Sequence, residues 1–269
     1  MVTPKTQRSN DIRTVNRVVQ NLTPALCFDG ELTPFIKERT LRQLLDVKDP
    51  ALSCAAWFFY YFTINDLDKG IQLAEKAVSL MPDDIVTWRH YILCSFWRGG
   101  SDKALEITKR AFPATKSPAL AYEGCFYSSS SADYSYFLEM HNFITKTGKY
   151  DELLREDEEG NMLKGKNNAD ISERYSKHSE IRSISMLMAS KLDLQQKLNS
   201  ANRLLDLSDD DTPSLLYELH ICDASADKCA EMNIELISDR VKAGVTDWSV
   251  GAIFVASDSE PMTYVSFTE

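Results

Sequence analysis

The chain has 269 residues, 43% of them apolar, enough for one large or two medium domains with a sizeable core. Its 30 basic against 40 acidic residues give a net charge of −10, which argues against a nucleic-acid-binding role because such a chain repels phosphate overall. Cys27, Cys54, Cys94, Cys125, Cys222 and Cys229 form no CxxC pair, and no apolar run follows the basic start, so free thiols and a cytoplasmic location are expected.

Along the chain, helix starts are punctuated by a capping side chain directly before proline. Thr33-Pro34, Asp49-Pro50 and Ser117-Pro118 predict helices from near 34, 50 and 118, whereas Thr23-Pro24 reads as a turn. Residues 1–48 are read as N-terminal helices, around 9 to 22 and 34 to 46, that cap the helical region beyond residue 48. The most apolar segment, Ala51 to Ile64, is shorter than the roughly 20 residues of a membrane span and reads as a buried helix, so no membrane partner is expected.

GNMLKGKNNAD, Gly160 to Asp170, reads as a solvated loop. Asp170 and Glu173 then predict a capping box that opens a long amphipathic helix through Ile171, Tyr175, His178, Ile181, Ile184 and Met188. A further series, Leu192, Leu194, Leu198, Ala201, Leu204 and Leu205, continues the helical pattern to SDDDTP, Ser208 to Pro213, read as a domain boundary.

Beyond 213 the period changes. Ser214 to Cys222 predicts a strand, and Ala226, Ala230, Ile234, Ile237 and Val241 carry helical spacing that Gly244 stops. Trp248 to Ala256 and Met262 to Thr268 predict an antiparallel hairpin. Residues 213–269 are therefore expected to form a small β-α-β-β domain, with ten acidic residues against three basic.

Between these regions the chain repeats. Residues 51–84 set over 85–118 match Phe62 with Phe96, Asp68 with Asp102, Lys69 with Lys103 and Ala77 with Ala111. Trp57, Tyr61, Gly70, Ala77 and Pro82 in the first block, and Trp88, Tyr91, Ala104 and Ala111 in the second, resemble the tetratricopeptide repeat of about 34 residues. Phe58, Ile92 and Lys116 depart from it, so the repeats are degenerate.

The resemblance implies a tetratricopeptide-like α-α superhelix over 49–207, making the fold mainly α with an appended α+β unit. It also implies a concave wall lined by first helices, which by position holds Phe59, Phe62, Arg89, Leu93, Phe96 and Tyr127. Such a wall suits a protein or peptide partner, as in an adaptor or regulator. An alternative is an immunity-protein or antitoxin-type inhibitor that docks a basic enzyme on Asp223, Asp227 and Glu231.

Chemistry is weakly signalled. His220, Cys222 and Cys229 lack a fourth metal ligand, and the chain has no phosphate loop or nucleophile elbow. No catalytic residue, metal or cofactor is expected, and the acidic run Asp151 to Glu159 reads as a solvated helix face.

Overall fold

A computed structural model of the chain describes residues 5–27, 30–155, 160–209 and 213–257. Among them lie 13 helices and a three-stranded sheet, so the protein is mainly helical with a small sheet toward its C-terminus. The chain forms two compact units, Met1–Gly99 with Glu106–Leu120, and Gly100–Leu105 with Ala121–Glu269.

The first unit holds α1 (Lys5–Cys27), α2 (Pro34–Asp46), α3 (Pro50–Thr63), α4 (Leu67–Leu80), α5 (Ile85–Gly99) and most of α6 (Ser101–Thr115). Two of the expected caps start their helices. Thr33 Oγ1 accepts the Ile36 amide at 3.3 Å, and Asp49 Oδ1 accepts those of Ala51 and Leu52 at 3.0 and 3.2 Å. Pro24, read as a turn, instead lies inside α1.

α3 and α4 form the first expected hairpin. They approach closely at Gly70, where a Cβ would stand 2.9 Å from the Phe62 ring. Glu75 of α4 accepts Tyr91 Oη at 2.9 Å and a two-pronged contact from Arg110 at 2.7 and 2.6 Å, tying α4 to α5 and α6. Arg98 donates to the carbonyls of Leu26, Phe62 and Thr63, so one guanidinium satisfies the open C-terminal ends of α1 and α3. α1 itself packs against α2, α3 and α5.

The second unit contains most of α7 (Pro118–Ser130), then α8 (Tyr134–Thr147), α9 (Tyr150–Arg155), α10 (Asn161–Arg174), α11 (His178–Ala189) and α12 (Leu194–Leu198). β1 (Ser200–Asp206), β2 (Leu215–Cys222), α13 (Ala226–Lys242) and β3 (Val250–Ser257) complete it. β2 is central, antiparallel to β1 and parallel to β3, with α13 as the crossover.

The structure corrects several expectations. The segment read as a loop, 160–170, is most of α10: Gly165 lets the helix lie so close to Phe137 and Ser129 that a Cβ would meet them at 2.6 and 2.7 Å. Asp170 falls inside α10 and opens no capping box. The long helix expected from 170 is broken at Ser176, whose φ of 54° ends α10 before α11 begins.

The helical series 192–205 yields only α12, because Ser200 to Asp206 pairs with β2 in register, Leu204 opposite Tyr217. The expected boundary at 208–213 therefore separates two strands bonded to each other, and the compact units divide elsewhere, within α6 and α7. The strand expected at 262–268 lies outside the described residues, and the sheet gains β1 instead.

Among the described residues, an asparagine side chain binds the outward-facing backbone of each outer strand. Asn168 of α10 accepts the Leu204 amide of β1 at 3.2 Å, and Asn233 of α13 pairs with the Phe254 amide and carbonyl of β3 at 2.7 and 3.0 Å. A side-chain amide presents the same donor and acceptor as a peptide group, so Asn233 mimics both bonds of a neighbouring strand at Phe254 and Asn168 mimics the acceptor at Leu204. Tyr217, fully buried, donates to Ser185 of α11 at 3.0 Å, and Asn202 of β1 caps α7 through the carbonyls of Ser129 and Ser130.

Candidate interaction surface

The aromatic wall expected on the repeat is not a surface. Phe59, Phe62 and Phe96 are 0, 2 and 3% exposed, and Tyr127, in the second unit, is 4% exposed. Phe59 meets the edge of His90 at 5.6 Å, while Phe62 lies against Phe58 and Tyr91 at 6.3 and 6.2 Å. These rings supply core, each contributing roughly 2–3 kcal/mol of apolar transfer. The physical reason lies in the packing of α1 against both α3 and α5, with Val15, Val18, Leu22 and Leu26 all buried. Arg89 and Leu93 remain half-buried.

Exposed apolar side chains occur on several helices, and on α13 they fall in a row along one helix side. Ser225 caps this helix by accepting the Lys228 amide at 3.1 Å, Asp227 sits in its first turn, and Arg240 and Lys242 sit in its last, as the helix dipole favours. Gly244, with φ of 71°, lies just beyond its end.

The inward face carries Cys229, Met232 and Leu236 together with two polar anchors. Arg240, only 3% exposed, donates to the carbonyls of Val250 and Asp247 at 2.9 Å each and of Val245 at 3.3 Å, and its guanidinium covers the Trp248 ring at 4.4 Å. Burial holds its pKa below the usual arginine value. Asn233, the second anchor, binds the backbone of β3 at Phe254. Lys191, in the turn after α11, pairs with Asp239 and, at 3.1 Å, with Glu235. That pairing lowers the Asp239 pKa.

With these anchors directed at β3 and α11, the residues whose spacing predicts the helix turn outward. Ala226 and Ala230 are exposed, and Ile234, Ile237 and Val241 are 74, 61 and 57% exposed. Trp248, beside Arg240, is 54% exposed. Asp227, Glu231, Ser238 and Lys242 lie four, seven and four residues apart, so they form a margin beside this stripe. Asp223, Asp227 and Glu231, the expected acidic docking residues, are all exposed; Glu231 carries an exposed contact with Lys228 at 3.6 Å.

The residues with metal-binding or nucleophilic chemistry are dispersed. His220 and Cys222 share the half-open face of β2, with His220 Nε2 at 3.1 Å from Glu218, whereas Cys229 is buried on α13 and its pKa is raised by that burial. Among the described residues no group of three His, Cys, Asp or Glu side chains is placed to hold a metal ion. Part of the acidic run, 156–159, lies outside the described residues. No described helix is long and apolar enough to cross a membrane.

No family model, no curated protein and no solved structure matches the chain.

Proposed function

We propose that this is a cytoplasmic protein–protein interaction protein, an adaptor or regulator built on a tetratricopeptide-like helical superhelix, which docks through the outer face of α13 and not through the repeat wall. The observation that carries this reading is the exposed stripe Ala226, Ala230, Ile234, Ile237 and Val241, which runs beside the face that α13 packs inward. Helices at the surface of a folded protein normally bury their apolar line, and a contiguous apolar patch with a charged margin marks an interaction site.

The test is the double variant Ile234→Asp, Ile237→Asp, compared with wild type in affinity capture from the native source. The reading expects unchanged melting and loss of specifically co-purified protein. Unfolding of the variant, or capture indifferent to it, would remove the surface from consideration.

An inhibitor reading is favoured by one observation, the joint exposure of Asp223, just before α13, and of Asp227 and Glu231 in its first turns. It requires a basic enzyme whose association weakens steeply with salt and is lost when all three charges are reversed.

A further inference from the structure

We propose that the occupant of the α13 stripe is a second copy of this chain, the two helices lying antiparallel about a two-fold axis. This rests on reading the outer face of α13 as an interaction surface, and it names what that surface takes.

The stripe is graded in size: Ala226 and Ala230 are small and exposed, while Ile234, Ile237 and Val241 are large and exposed. A two-fold axis near Ile234 sets Ala226 opposite Val241 and Ala230 opposite Ile237, with the two Ile234 side chains adjacent at the centre. Each large side chain then meets a small one, the shape matching that close packing needs. A parallel pairing would set alanine on alanine and isoleucine on isoleucine, leaving a gap at one end and crowding at the other.

Charge obeys the same symmetry. Asp227 lies at one end of the margin and Lys242 at the other, both exposed. Reversal of the second helix keeps the two margins on one side of the pair and brings Lys242 of each copy within a turn of Asp227 of the other, whereas a parallel two-fold carries the margins to opposite sides and loses that contact.

Stable interfaces bury about 1,200–2,000 Å² in total, and a helix of this length spans only about 25 Å. Trp248, exposed beside Arg240, adds apolar surface near the C-terminal end of α13. The pair is therefore weak, with a Kd in roughly the micromolar range, and concentration-dependent.

The experiment places a photo-cross-linking phenylalanine analogue at Ile237 of the full chain and irradiates it both purified and in native extract. The expected product has twice the chain mass, is attached near Ala230, and is lost on dilution. In sedimentation analysis of the chain without the probe, Lys242→Glu weakens self-association several-fold, and adding Asp227→Lys to that variant restores it. A discrete adduct with a different protein and none with itself would overturn the second copy while leaving the surface reading intact. A cross-link within one chain to residues 258–269, or no adduct at all, would overturn both readings.

Discussion

Replacing Arg240 by methionine isolates what turns α13. The guanidinium is 3% exposed and is satisfied by three backbone carbonyls, two at 2.9 Å and one at 3.3 Å. Hydrogen bonds from a charged donor contribute about 1.5–3 kcal/mol each net of exchange with water, so two good bonds and one long one bound the loss at about 4–6 kcal/mol. Removing the cation also removes its desolvation cost, several kcal/mol for a buried ion, and methionine fills much of the volume. The net expectation is a loss of about 2–4 kcal/mol in urea unfolding. Amide-exchange protection should fall first in the last turn of α13 and at the start of β3. Arg240→Lys should lose nearly as much, because one ammonium cannot reproduce a fork spread over three carbonyls. A methionine variant within about 0.5 kcal/mol of wild type, with unchanged protection, would refute the anchoring role.

The same packing has other consequences. Gly165→Ala should destabilise by about 1–2 kcal/mol in thermal melts although alanine is the better helix former, since its Cβ would press on Phe137 and Ser129; stabilisation instead would contradict the close approach of α10. Asn168→Leu leaves the Leu204 amide of an edge strand unpaired, and a loss of about 1–3 kcal/mol with concentration-dependent aggregation is expected in denaturation and light scattering. His90 has its pKa lowered to about 4, chiefly by burial and secondarily by Arg89. The unfolded chain takes up this proton near the ordinary value of about 6.5, so stability is full above that pH and falls as pH drops from there toward about 4, by up to roughly 3 kcal/mol. A His90→Gln variant should flatten that segment of the stability profile; an unchanged slope would assign it elsewhere.

Much of the helical fold was legible because its signals are local. Thr33-Pro34 and Asp49-Pro50 each open a helix where capping chemistry places it, and α7 begins at Pro118. The segments misread were those where distant contacts decide. Gly160 to Asp170 has loop composition, yet Gly165 and Asn168 serve packing against α8 and the edge of β1, which no local pattern reveals. Ser200 to Asp206 shares apolar spacing with a helix and becomes a strand only because β2 offers a ladder.

The exposed face of α13 was half legible. The spacing of Ala226, Ala230, Ile234, Ile237 and Val241 announced a helix, and apolar periodicity ordinarily marks the buried side. Here the buried side is fixed by Asn233 and Arg240, polar residues that find backbone partners on β3, and nothing in single-sequence periodicity distinguishes them from a solvated face. Conversely, Phe59, Phe62 and Phe96 stand at positions of a repeat wall, but α1 packs on the helices that bear them.

The orientation of α13 is the claim on which both functional readings depend, and paired alanine substitutions test it most directly. Leu236 is 2% exposed and its neighbour Ile237 61%. Urea unfolding should therefore report a loss of about 2–4 kcal/mol for Leu236→Ala and a change within about 0.5 kcal/mol for Ile237→Ala, measured at concentrations below self-association. A large loss at Ile237 with little at Leu236 would mean that the apolar stripe is core, and the proposed surface would be withdrawn.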